Sequence, residues 1–272
     1  MSRSFLFIPG DVPRMIQQLE IFGADAIILD LEDSVSMTQK DEARHLVESF
    51  LRKHHYQNPL IYIRVNPIDS EEYTYDISTL QNLGIHGIVL PKASLKGIEK
   101  VAKDLPQCKI IALMETPEAF LEIAAIAKHK RVEGLLLGAE DLAQALNLER
   151  TEKSDEILYV RSQVVLTAKA FKKLAIDTPY TNLTSNEGLL EDAQKARQLG
   201  FDAKASIHPN HIDTIHQAFS PTKENIKRAK RIVAYAETHH TMRFSLDGKM
   251  VDKPIIEHAK AILDAAKRYR LD

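Results

Sequence analysis

Glu115 and Asp141 are the residues whose type and spacing point most directly to chemistry. Each stands just behind a short, continuously apolar run, Lys109–Met114 and Gly134–Leu137. If these runs are neighbouring parallel strands, the two carboxylates lie roughly 5 Å apart, one strand spacing. Like charges at that separation repel, and a hard divalent cation relieves the repulsion. Mg2+ takes one or two carboxylates and completes its octahedron with water and substrate oxygens. The competing reading is that either residue only caps the helix that follows. The chain has a single cysteine, Cys108, and no two-histidine motif, so no zinc or iron site competes.

Other charged residues fall at equivalent places. Arg64 ends the run Leu60–Val65, where a permanent cation is expensive to bury. A guanidinium there suits bidentate capture of a carboxylate or of a developing enolate oxygen; its alternative is a buried ion pair with Glu32 or Asp33. Lys92 follows Gly87–Leu90 and invites a Schiff base with a carbonyl substrate, against the simpler reading of a structural ion pair. Glu32, Asp33 and Glu140 are placed to order metal-bound waters as outer partners, with Asp33 equally suited to cap a helix. His208 precedes a proline and is a weaker candidate for ligand contact, and Tyr180 and Asn182 read as loop packing.

The elements that must hold these residues recur regularly. Eight β-rich runs, Ser4–Ile8, Ala26–Leu31, Leu60–Val65, Gly87–Leu90, Lys109–Met114, Gly134–Leu137, Leu174–Asp177 and Ala203–Ile207, alternate with helical patterns. Most are apolar throughout, which suits parallel strands covered on both faces. Between them, Leu189, Leu190, Ala193, Ala196 and Leu199 form one apolar stripe closed by Gly200. Eight such units predict a (β/α)8 TIM barrel, whose working face lies at the C-terminal strand ends. Six of the eight ends carry charged groups. An open doubly wound sheet needs a glycine-rich turn after its first strand, and Pro9-Gly10-Asp11-Val12-Pro13 is not one. The rhythm changes after residue 236, predicting a barrel over residues 1–236 and an extension over 237–272 that packs on the barrel or on another subunit. In that extension Phe244–Asp252 reads as a β-like excursion with an Asp-Gly turn, and Pro254 opens a last helix.

Composition sets the outer limits. Lys and Arg total 36 against 38 Asp and Glu, a net charge of -2, without the basic excess of a nucleic-acid binder. No apolar run approaches the ~20 residues that span a bilayer, and only Phe5–Ile8 is apolar before Pro9, too short for a secretory signal. A cytoplasmic enzyme with neither a nucleic-acid nor a membrane partner is the expectation.

Taken in order, these strand ends resemble the β subunit of citrate lyase and its relatives among the acyl-CoA lyases. The matching segments are Arg3-Ser-Phe-Leu-Phe-Ile-Pro-Gly10, Leu29-Asp-Leu-Glu-Asp-Ser-Val35, Ile63-Arg-Val-Asn-Pro67, Leu90-Pro-Lys92, Met114-Glu-Thr-Pro117 and Leu137-Gly-Ala-Glu-Asp141. Leu199–Pro209 and Gly248–Pro254 continue the set. The resemblance implies a Mg2+-dependent lyase, a homotrimer or hexamer, in which Glu115 and Asp141 hold the metal and Arg64 and Glu115 contact the substrate. It implies that Asp252 is the proton-transferring acid, supplied to a neighbouring subunit's site; the alternative for Asp252 is a simple cap. The implied reaction splits a 3-hydroxyacyl thioester into a 2-oxo acid and an acyl thioester. In the citrate lyase form, citryl thioester on an acyl-carrier protein gives oxaloacetate and acetyl thioester, with the α and γ subunits as partners. Glu140–Arg150 resembles the β subunit in length and in its Glu-Arg ending. The alternatives are a stand-alone lyase for malyl- or citramalyl-CoA and a non-catalytic thioester-binding subunit.

Overall fold

The computed structural model describes residues 2–54, 56, 59–81 and 83–271. Eight parallel strands close into a barrel: β1 (Ser4–Pro9), β2 (Ala26–Asp30), β3 (Leu60–Arg64), β4 (Gly87–Leu90), β5 (Lys109–Met114), β6 (Val132–Leu137), β7 (Leu174–Asp177) and β8 (Ala203–Ser206). Each pairs with its sequence neighbours, and β1 pairs with β8 to close the ring. Side chains alternate across a strand, so every second apolar residue turns into the barrel. Phe5, Ile28, Tyr62, Val89, Ile111, Leu136 and Ile176 form that interior layer, with the small Ala26, Ala203 and Ala205 admitting the bulkier rings. The intervening residues face the helices, which is why these strands read as unbroken apolar runs rather than as alternation.

The largest boundary difference is at β6, which begins at Val132, before the expected Gly134. Glu133 is tolerated in the strand because its carboxylate accepts from the Tyr62 hydroxyl at 3.0 Å and lies 3.1 Å from His86 Nε2. A buried four-charge cluster underlies the ends of β7 and β8. Arg161 holds Asp177 with two bonds, at 3.0 and 2.9 Å, and Asp192 with one at 2.7 Å. Lys204 Nζ lies 2.6 Å from both Asp177 and Asp192 and donates to the Thr178 carbonyl at 2.7 Å.

The chain divides into two compact units, residues 1–218 and 219–272. The expected boundary at 236 falls inside the helix Lys223–Thr238, because that helix shares its core with the C-terminal segment: Ala229, Ile232 and Ala236 pack with Val251, Ile256 and Ala259. In the same unit β9 (Phe244–Leu246) and β10 (Lys249–Val251) form an antiparallel hairpin. Its two-residue turn, Asp247-Gly248, has φ of 52° and 72°, the two positive values that a type I′ turn requires. The last helix, Lys253–Arg268, carries Pro254 in its first turn. Among the described residues no helix is long and apolar enough to cross a membrane.

Candidate active site at the C-terminal end of the barrel

Asp30 and Arg64 end adjacent strands and are register partners across β2 and β3. The guanidinium grips Asp30 as a fork, Nε to Oδ1 at 2.7 Å and Nη2 to Oδ2 at 2.6 Å. Its remaining nitrogen, Nη1, lies 3.1 Å from Glu32 Oε2 and 3.5 Å from Asp33 Oδ2, while its plane sits 5.1 Å above the Phe7 ring centre. The Glu32 contact is close without hydrogen-bond alignment, and Glu32 Oε2 is a buried acceptor with no hydrogen-bond donor. Asp30 also accepts from the N–H groups of Glu32 and Ser34 at 2.9 and 3.1 Å, folding the loop back over the strand end. Burial works against ionising Asp30, but Arg64 and these N–H groups prevail and hold its carboxyl below the ordinary range. Both ion-pair alternatives for Arg64 are therefore present, and its principal partner, Asp30, was not among the expected site residues. The signal was there: an acidic and a basic residue closing successive strands.

Glu115 follows β5 and is 3% exposed. Its Oε1 accepts the backbone N–H of Lys92 at 2.7 Å. Burial, then the nearby charges of Glu32 and Asp141, push the Glu115 carboxyl up to about 8 against the pull of Lys92 N–H and Arg64. Burial, followed by Asp33 and Asp30, likewise raises Glu32 to about 7, against Arg64 and Lys92. The cluster is thus short of positive charge. Gly138 lets β6 pass over Glu115: a Cβ there would lie 2.6 Å from Glu115 Cβ and 3.0 Å from its Oε2. The helix Ala139–Ala145 follows at once and puts the exposed Asp141 in its first turn. Neither carboxylate is a cap, since Thr116 caps the helix after β5 and Gly138 stands at the N-cap of the other.

Two hollows meet at this pair. One, of about 240 Å3, is walled by Phe7, Leu113, Leu136 and Ile207, with Arg64, Glu115 and Asp141 at its polar side. The other, of about 420 Å3, shares Glu115 and Asp141 and adds Asp33, Lys92, Thr116 and Gln144. Among the described residues no group of three or more His, Cys, Asp or Glu is arranged to hold a metal. Two hard carboxylate oxygen donors beside open space, one of them raised in pKa by burial and by its acidic neighbours, do fit a cation that keeps water and substrate oxygens as its other ligands.

The remaining candidates are dispersed. Glu140 lines the first hollow, but its Oε1 takes the Arg150 Nε hydrogen at 3.0 Å. Asp33 is 67% exposed at its side chain and caps no helix, because the next helical turn, Met37–Gln39, is preceded by Ser36. His208 Nδ1 accepts from Asn210 N–H at 3.2 Å, and Asn182 Oδ1 accepts from Thr184 N–H at 3.0 Å. Tyr180 lines a separate polar hollow with Ser185 and Asp192. Asp252, in the second unit, caps the last helix through an Oδ1 bond from Ile255 N–H at 3.3 Å.

A family model described as HpcH/HpaI aldolase/citrate lyase matches residues 3–209. The citrate lyase subunit beta of Haemophilus influenzae is 36% identical, with 98% of this chain and 97% of that protein covered. The (3S)-malyl-CoA thioesterase of Cereibacter sphaeroides is 32% identical, with 97% and 94% covered. Among solved structures, CitE of Mycobacterium tuberculosis in complex with magnesium, acetoacetate and coenzyme A matches with a TM-score of 0.84 and 32% identity over 98% of both chains. With the match running through every strand end described above, the chain belongs to the HpcH/HpaI aldolase/citrate lyase family.

Proposed function

We propose that the chain is a Mg2+-dependent carbon–carbon lyase that cleaves a 3-hydroxyacyl thioester by retro-Claisen chemistry, most like the citrate lyase β subunit. One observation carries this reading: a guanidinium locked by Asp30, with Nη1 left over, stands in the same cluster as a charge-deficient carboxylate pair. Glu115 and Asp141 would hold the metal, with Glu32, Asp33 and Glu140 around its waters. When bound, Mg2+ supplies Lewis acidity to the substrate's hydroxyl and carboxylate.

A base at the site takes the substrate's hydroxyl proton, the C2–C3 bond breaks, and its electron pair passes to the thioester as an enolate. The oxygen left on C3 becomes the carbonyl of the 2-oxo acid. Arg64 takes the charge that develops on the thioester oxygen; Asp30 keeps the guanidinium from turning, so it is oriented before the charge appears. The apolar walls of the first hollow keep water from the enolate. Asp252 of a neighbouring copy would protonate the enolate carbon to give the acyl thioester. In this reading the protein is a cytoplasmic homotrimer or hexamer, with acyl-carrier protein as the thiol and the α and γ subunits of citrate lyase as partners.

The second reading, a stand-alone enzyme for malyl- or citramalyl-CoA, is favoured by the similarity to a malyl-CoA thioesterase and to a structure containing coenzyme A. The intact set Arg64, Glu115, Asp141 and Asp252 speaks against a non-catalytic thioester-binding subunit. The test is release of 2-oxo acid from citryl, malyl and citramalyl thioesters, on CoA and on carrier protein. Activity is expected on at least one, abolished by EDTA, restored by Mg2+, and lost in Glu115→Ala and Asp141→Ala. EDTA-resistant cleavage with borohydride trapping on Lys92 would make the enzyme a Schiff-base aldolase instead.

A further inference from the structure

The two hollows that meet at Glu115 and Asp141 differ in kind. The first is mostly apolar, with Arg64, Ser34, Thr178 and the acidic residues as its polar part, as suits the methylene and thioester arm of a substrate. The second is polar, and Lys92 is the one cation among its lining residues, beside Asp33, Glu115 and Asp141. Among the described residues the Lys92 ammonium makes neither a hydrogen bond nor an ion pair within 4.0 Å; the residue meets Glu115 through its backbone N–H. Its backbone has φ +45°, the left-handed region that a lysine seldom occupies. The 2.7 Å bond to Glu115 Oε1 fixes the main chain there, so the carboxylate is tied to the backbone of Lys92 and the side chain is left to serve something else.

Resting on the lyase reading, we infer that the second hollow is the subsite for the oxo-acid half of the substrate and that Lys92 determines specificity by receiving a second carboxylate on that half. A dication between Glu115 and Asp141 offsets only those two charges, leaving the substrate's first carboxylate and Asp33, which lies 3.5 Å from Arg64 Nη1. A further anionic group entering this hollow therefore needs its own cation, and Lys92 is the cation that lines it. A substrate with a methyl group in that place offers the ammonium nothing. Hydrogen bonds to charged groups discriminate by about ten- to hundredfold.

Citryl and citramalyl thioesters differ at this one position, carboxymethyl against methyl. Lys92→Met is expected to lower the ratio of kcat/KM for citryl over citramalyl thioester by about ten- to hundredfold, and Lys92→Arg to restore most of it. In parallel, calorimetric titration of the Mg2+-loaded protein should show Lys92→Met weakening oxaloacetate relative to pyruvate by a similar factor. An unchanged ratio overturns the assignment, as does an equal loss on both substrates, the pattern a Schiff-base lysine would give. Should wild type cleave none of the citryl, citramalyl and malyl thioesters, the lyase reading fails. The titration then decides the subsite alone: selective weakening of oxaloacetate upholds it, and parallel or absent weakening rejects it.

Discussion

Glu115 shows what one buried carboxylate implies. Its proton is held to about pH 8 in the folded protein, against 4.5 for an ordinary glutamate. Between those values the folded state binds more protons than the unfolded one, so stability falls as pH rises through the window. In the presence of chelator, Glu115→Gln should therefore melt several degrees above wild type at pH 8 and close to it at pH 5. Equal differences at both pH values would show that Glu115 is already ionised in the fold. The same environment explains what a sequence can disclose at this scale. Glu115, Asp141 and Arg64 were legible because charged residues behind apolar runs are costly without partners. Asp30 was not, because it reads as a residue within the run Ala26–Leu31, and its bidentate hold on Arg64 appears only when β2 and β3 are in register. Glu32 and Lys92 were singled out, but the sequence could not say that the Lys92 backbone, and not its ammonium, meets Glu115.

At the scale of elements, the strands were legible almost to the residue, since a continuous apolar run flanked by polar turns has few other uses in a buried sheet. The Arg161–Asp177–Lys204–Asp192 cluster was not legible: its members lie on two helices and two strands, and no local pattern joins them. It nonetheless shapes the site. Lys204 fixes the Thr178 carbonyl, and Thr178 Oγ1 accepts from Ala139 N–H at 3.3 Å, at the start of the helix that bears Asp141. Arg161 Nη1 is already without a hydrogen-bond partner. Removing the Lys204 charge leaves two buried aspartates to one guanidinium, so Lys204→Met should cost about 3–5 kcal/mol in urea unfolding. Adding Asp177→Asn to that variant should recover part of the loss, because it removes one uncompensated charge. A double variant no more stable than Lys204→Met would show that the charges are not coupled.

The whole chain is nearly neutral, but its charge is unevenly divided. Residues 1–218 hold 24 Lys and Arg against 31 Asp and Glu, net -7, and residues 219–272 hold 12 against 7, net +5. Opposite fields on the two parts favour association between copies. This is the physical support for a neighbour's tail supplying Asp252 to a barrel. If copies assemble heterologously the idea is testable, because the two defects need not lie in the same site. In a protein co-expressed from an Asp252→Ala chain and an Arg64→Ala chain, purified in tandem through different tags, some barrels keep Arg64 and meet an intact tail. In a cyclic trimer of mixed composition these are about one site in three, and turnover near that fraction of wild type is expected although each parent is inactive. High salt during assembly should lower the recovered fraction, since the attraction is electrostatic. If mixed assemblies stay inactive while both chains are folded and associated, Asp252 acts within its own chain or not at all. A fully active Asp252→Ala enzyme would leave that residue with only its capping bond to Ile255.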